Sequence, residues 1–123
     1  MITHLHSATV LVGDQEEALR FYVGTLGWEK REDLRFGPVH RFLSVAPPGA
    51  VTSIVLGQPE VYARELVPGG TGITVMTPDV AATQAEMSAR GVRFAGQPQA
   101  MPWGTKATWF TDPFGNEYFL LEG

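Results

Sequence analysis

SATVLVGDQEEALRFYVGTLGWE, residues 7–29, changes from one periodicity to another within a few positions. Ala8 to Val12 form a β-rich run that ends at Gly13 and Asp14, which predicts a strand feeding a helix. Asp14 is placed to cap the first turn, and Glu17 stands three residues later in capping-box position. Ala18, Leu19, Tyr22, Val23 and Leu26 then recur at helical spacing until Gly27, a natural stop.

The same design recurs in GITVMTPDVAATQAEMSARGVRF, residues 72–94, with Ile73 to Met76 as the strand, Asp79 as the cap and Gly91 as the stop. The two Asp caps are 65 residues apart and the two Gly stops 64. After each helix come two extended runs joined by a turn: VHRFLSV and VTSIVLG around Ala46-Pro47-Pro48-Gly49, then KATWFT and EYFLLE around Asp112-Pro113-Phe114-Gly115-Asn116. Trp28 to Arg31 and Val92 to Ala95 each supply a third strand. A repeat fixes architecture more firmly than local propensity does. The expectation is an α+β chain of two tandem βαβββ modules, residues 1–57 and 71–123. The joint, QPEVYARELVPGG at 58–70, reads either as a linker or as a short helix.

Composition bounds the function. The chain has 123 residues and 44% hydrophobic content, enough for the core of one ordinary domain. Nine Lys plus Arg against thirteen Asp plus Glu give a net charge of -4 without runs of one sign, which argues against nucleic acid and anionic membranes as partners. No Cys is present, so thiolate metal sites and cysteine nucleophiles are excluded. The N-terminal residues lack the pattern of a signal peptide, and no apolar run approaches the ~20 residues of a membrane span. A cytoplasmic protein is expected.

DQEEALRFYVGTLGW, residues 14–28, resembles the D-x-x-x-A/S-x-x-F-Y-x-x-x-L-G signature of the vicinal oxygen chelate superfamily, the glyoxalase, bleomycin-resistance and dioxygenase family. DPFGNEYFLLE, residues 112–122, resembles that family's C-terminal hairpin. The resemblance implies curled mixed sheets around a cavity, the glyoxalase/bleomycin resistance/dihydroxybiphenyl dioxygenase-like fold. It also implies a homodimer, whose modules pair either within a chain or between chains. Glyoxalase I, extradiol dioxygenases, methylmalonyl-CoA epimerase and fosfomycin-resistance enzymes use a divalent metal; bleomycin-binding proteins do not.

Carried over from that family, the metal-ligand positions fall on residues that cannot hold a metal. The first is Ser7, seven before Asp14; the third is Ile73, or Gly72 if the register slips; the fourth is Phe119, four past Gly115. For the second, no Asp or Glu occurs from Leu34 to Pro59, which leaves Ser53 as the nearest substitute. A hydroxyl, an aliphatic side chain and a phenyl ring make no cation site. His4 and His6 form an H-x-H pair, but strand parity turns them with Ala8, Val10 and Val12, away from Ser7, Thr9 and Leu11, unless a bulge intervenes. No cofactor is expected.

The repeat aligns His40, Phe42 and Ser44 with Thr105, Ala107 and Trp109. A pocket lined by Ser7, Thr9, His40, Phe42, Ser53, Ile73, Val75, Thr105, Trp109 and Phe119 is largely apolar and aromatic, the profile of a site for a hydrophobic or aromatic small molecule. Trp103, in MPWGTK, either closes over the mouth or packs on the sheet edge. His40 and Glu117 are the weak candidates for proton transfer, and Glu117 stands where it could pair with Arg41. The expected function is metal-independent binding of such a molecule. The alternative is a glyoxalase-like lyase, isomerase or dioxygenase with a divalent metal held by His4, His6, His40 and Glu117.

Overall fold

The structure, a computed structural model, describes residues 1–123. It divides into two units, Met1–Leu66 and Val67–Gly123. The boundary falls inside the segment 58–70.

In the first unit, β1 (Ser7–Leu11), a helix, β2 (Glu29–Phe36), β3 (His40–Ala46) and β4 (Ser53–Gly57) form a sheet in the order β1-β4-β3-β2. β1 runs parallel to β4, and the other neighbours are antiparallel. The helix starts as α1 (Gln15–Leu19) and continues as a wider π-helical turn, Arg20–Thr25, closed by Leu26 N–H donating to the Phe21 carbonyl at 2.9 Å. Asp14 caps it by accepting from the Glu17 amide at 2.9 Å, and Gly27 ends it at φ 77°. β2 runs five residues past the expected Arg31. Its pairing with β3 carries it to Phe36, across a bulge between Lys30 and Glu32.

The second unit repeats the plan with β5 (Gly69–Thr77), α3 (Val80–Ala89), β6 (Arg93–Phe94), β7 (Gln99–Ala100), β8 (Lys106–Thr111) and β9 (Asn116–Glu122). The order is β5-β9-β8-β6, β5 is parallel to β9, and β7 pairs with β8 as an added short strand. Asp79 caps α3 by accepting from the Ala82 amide at 3.0 Å. Of the two readings of the joint the structure takes the short helix, α2 (Pro59–Tyr62), which belongs to the first unit.

Alternation gives each sheet a helix-covered face. In the first unit this face carries Val10, Val12, Leu43, Val45, Ile54 and Leu56, all buried, with Ala18, Phe21 and Tyr22 from the helix. Tyr22 is fully buried and meets Phe21 edge-on at 5.1 Å and Trp28 at 5.4 Å, which is the packing reason for the F-Y pair. In the second unit Val80, Val92, Phe110, Tyr118 and Leu120 are buried, and Phe110 stacks on Tyr118 at 5.2 Å. The α3 start is tied to the last strand by Val80 N–H donating to Glu122 Oε2 at 2.9 Å, and to β5 by the Thr77 and Thr83 hydroxyls at 2.6 Å.

Arg41 lies on the helix-covered face of the first sheet and is buried to 9% exposure. Its guanidinium donates to both Asp33 oxygens at 2.8 Å and also reaches Glu16 on α1, while Lys30 Nζ lies 3.3 Å from Asp33. A forked, charge-assisted bond of this kind is strong, and removing one partner leaves a buried charge. Arg41 therefore has its charged partners on its own sheet and helix. The Arg41 guanidinium holds the Asp33 carboxyl well below the usual carboxylate range.

A depressed carboxylate contributes stability that is present above its unfolded value, near 4, and is lost as pH falls toward its folded value. Asp33→Asn should therefore lower unfolding stability by about 1–3 kcal/mol at pH 7. In urea titrations the gap to wild type should narrow progressively below pH 4. A gap that stays constant down to pH 2 contradicts the assignment.

Candidate functional site

The face of each sheet away from its helix is read from strand register, because paired residues point to the same side. In the first unit Ser7, Thr9 and Leu11 pair with Ser53, Val55 and Gly57. Val55 pairs with Ser44, and Ser44, Phe42 and His40 pair with Glu32, Leu34 and Phe36. One end of this face is therefore polar, with Ser7, Ser53, Ser44, Thr9 and Glu32. The other end is apolar, with Leu11, Phe42, Leu34 and Phe36, the last 5.7 Å from the His40 ring. Ser44 and Ser53 are buried, and the Ser44 hydroxyl accepts from the Glu32 amide at 3.1 Å.

His6 departs from the expected orientation. Its Nε2 lies 3.6 Å from Glu32 Oε1, on the row of Ser44 and Thr9, although parity with Ala8 would have turned it toward the helix. The reason is that β1 starts at Ser7, so His6 lies outside the strand and parity does not govern it. β1 and β2 are opposite edges of the sheet, about 14 Å apart if it were flat, and the sheet's curl lets these side chains meet. His4 is exposed, with Nδ1 2.9 Å from the Thr3 hydroxyl.

In the second unit Trp109 pairs with Phe119, and their ring centroids are 5.0 Å apart at 49°. Phe119 pairs in turn with Thr74, and Leu121 with Met76 and Ala107. Thr74 and Met76 therefore share the face of Trp109, and Ile73 and Val75 do not: Val75 pairs with Leu120 on the helix-covered side. This corrects the expected lining. The parallel pairing shifts register between Gly70 and Thr74, and the 65-residue offset of the caps makes Thr74, not Ile73, the repeat equivalent of Thr9. Glu117 shares the face with Thr111, which pairs with Arg93 on its other side. Trp103 sits in the turn before β8, 61% exposed, its ring N–H donating to the Thr105 hydroxyl.

Three further features were not anticipated. Leu34 and Phe36 alternate within a charged strand, a signal readable once the strand is known to continue past Arg31. Glu32 precedes the acid-free stretch. Tyr62 lies against Gly57, whose added Cβ would meet Tyr62 Cε2 at 2.6 Å. A glycine inside an apolar strand is the sequence signal for such a close approach.

The donors present do not fit the divalent metal that the fold implies. The family's ligand positions fall on Ser7, on Ser53 as the nearest substitute, on Ile73 or, one residue earlier, Gly72, and on Phe119: a hydroxyl, an aliphatic group or no side chain, and a phenyl ring. No group of three His, Asp or Glu side chains is placed to hold a metal ion. His6 and Glu32 meet, but His40 lies four residues farther along the sheet, about 13 Å from the Glu32 row. What remains is chemistry suited to binding: apolar and aromatic surface, with a few hydroxyls and one His-carboxylate pair to orient a molecule.

Comparison with known proteins agrees with this architecture. The model of the Glyoxalase/Bleomycin resistance protein/Dioxygenase superfamily matches residues 4–118. The uncharacterized protein YetH of Bacillus subtilis (strain 168) is 32% identical over 126 residues, covering 99% of this chain and all of that protein. A member of the superfamily from Sphaerobacter thermophilus DSM 20745 is 48% identical, with a TM-score of 0.95 over 99% of this chain and 98% of that one. TnmS3, described as an antibiotic binding protein from Streptomyces sp. CB03234, is 38% identical, with a TM-score of 0.83 over 98% of this chain and 96% of that one. Repeat, register and a match over nearly the whole length lead to one conclusion: the chain belongs to the Glyoxalase/Bleomycin resistance protein/Dioxygenase superfamily, the vicinal oxygen chelate fold of two βαβββ modules.

Proposed function

We propose that this protein binds a hydrophobic or aromatic small molecule on its helix-free sheet faces, without a metal, and acts by sequestering it. The observation that carries the reading is the Trp109–Phe119 pair on a face whose family metal position is a phenyl ring. An aromatic pair offers a large, stiff surface for a flat ligand, where a carboxylate would be needed to hold a cation. The description of TnmS3 as an antibiotic binding protein, at 38% identity, supports the same class of activity.

The protein is further proposed to act as a homodimer. In a single chain Leu34, Phe36 and Met76 are 47%, 56% and 61% exposed on these faces, an apolar surface that a second copy would cover. Light scattering on the purified chain should give about twice the 13.4 kDa chain mass, and Phe36→Glu should shift it toward one chain. A wild-type protein that stays at one chain mass up to millimolar concentration contradicts the dimer.

Calorimetric titration with 2-naphthol and related apolar aromatic probes tests the binding. Saturable binding is expected, unchanged after exhaustive chelation, and weakened at least ~10-fold by Trp109→Ala, or about 1.4 kcal/mol. Binding or turnover that requires a stoichiometric divalent metal overturns the proposal.

A further inference from the structure

Three residues on adjacent strands form one row of the second unit's helix-free face. Glu117 of β9 pairs with Thr111 of β8, and Thr111 pairs with Arg93 of β6. Their neighbours fix which way they point. Phe110 and Tyr118 are buried on the helix side, and so are the residues flanking Arg93: Val92 is buried, and the Phe94 ring lies 5.9 Å from that of Phe110. Alternation sends Arg93, Thr111 and Glu117 to the opposite face, where Arg93 is exposed and the other two are half-buried.

Arg93 is the cation that register gives to this face. Of the unit's other basic residues, Arg90 caps the end of α3 and pairs with Glu86, and Lys106 has the parity of Thr108 and Phe110 on the helix side. No carboxylate lies within 4.0 Å of the Arg93 guanidinium, since the ion pairs of the chain engage His6, Lys30, Arg31, Arg41 and Arg90. Glu117 stands two strand spacings away, about 10 Å between backbones, beyond the ~8 Å screening length of physiological salt.

Two residues along the strands, about 7 Å, is the Trp109–Phe119 pair. Beside Trp109 stands Ala95, whose amide donates to the Trp109 carbonyl at 2.9 Å and whose side chain is too small to cover the indole. Another two residues on come Leu121 and Met76. The face therefore runs from an unpaired guanidinium, over an aromatic surface, to an apolar row.

From this we infer that Arg93 is a specificity-determining residue, which receives an anionic substituent of a ring system lying over Trp109 and Phe119. The inference rests on the binding function proposed above. A guanidinium meets a carboxylate through two parallel N–H···O bonds, which fix orientation as well as charge. The Thr111 hydroxyl, one strand inward, is the next donor along the row. Glu117, beyond it, opposes an anion seated nearer β9 and directs the acid to the β6 edge. The ligand class is a planar aromatic acid with its apolar end toward Met76.

Calorimetric titration at pH 7 compares 2-naphthoate with its neutral isostere 2-naphthamide in wild type, Arg93→Gln and Arg93→Lys. Wild type should bind the acid at least ~10-fold more tightly than the amide, Arg93→Gln should bring the two within about twofold, and Arg93→Lys, a charge without the fork, should fall between. Raising salt from ~0.05 to ~0.5 M should narrow the wild-type preference. Arg93 has no ion-pair partner to lose, so Arg93→Gln should melt within about 2 °C of wild type, and a larger drop marks a structural role that overturns the assignment. A wild-type ratio within about twofold, or a preference that survives in Arg93→Gln, also overturns it. So does tighter binding of 2-naphthylmethylammonium than of the amide, abolished by Glu117→Gln, which makes Glu117 the recognition residue. In those outcomes the probes still bind, and the proposed binding function stands. Saturable binding of none of the probes overturns that function, and the inference with it.

Discussion

Each sheet is covered on one face by its own helix, and the two-residue alternation of a β-strand then dictates what the opposite face carries. A shift of one residue anywhere in a strand would move Val10 or Leu120 out of the core and bring Thr9 or Phe119 in. Burial of Val10, Val12, Leu43, Val45 and Leu56 in one unit, and of Phe110, Tyr118 and Leu120 in the other, fixes the register against that shift. The composition of the helix-free faces is a consequence of this packing, and part of each face, Ser44, Ser53 and Val55 in one unit and Ala107 in the other, is buried as well.

The two units secure their helices by different chemistry. In the first, Arg41 joins Asp33 and Glu16, so charge links strand and helix, and Gln15 donates to the carbonyls of Arg41 and Leu56 at 3.0 and 2.9 Å. In the second, a carboxylate of the final strand caps the helix start and two threonine hydroxyls meet across the turn. The final hairpin is rigid for a related reason. Asp112 accepts from the amides of Phe114 and Asn116 and from the Asn116 side chain, and Gly115 turns at φ 84° where a Cβ would strike Pro68. That turn sets the pairing of Trp109 with Phe119.

Much of this was legible before the structure. The spacing of Asp14, Gly27, Asp79 and Gly91 carried the repeat, and the F-Y pair and the D-P-F-G-N turn carried the family. Errors arose where a local rule did not hold. Ile73 enters the expected lining as the carried-over third ligand position, with Gly72 as its alternative, and Val75 shares its face; β5 shifts register after Gly70, and the cap offset, which favours Gly72 and Thr74, is the better guide. His6 was assigned a strand's alternation one residue before the strand begins. The packing of Tyr62 was hidden because it depends on a glycine in a different element and on a left-handed Ala63 that no composition signals.

The account's central claim is that ligand recognition belongs to the helix-free faces, in the register described. The most direct measurement is a methyl-resolved NMR titration with 2-naphthol. The methyl groups of Thr9, Val55, Thr74 and Met76 should shift saturably, while those of Val10, Val45, Ile54 and Val75 stay within error. Saturable shifts at Val10, Ile54 and Val75 with none at Thr9 and Thr74 would contradict it.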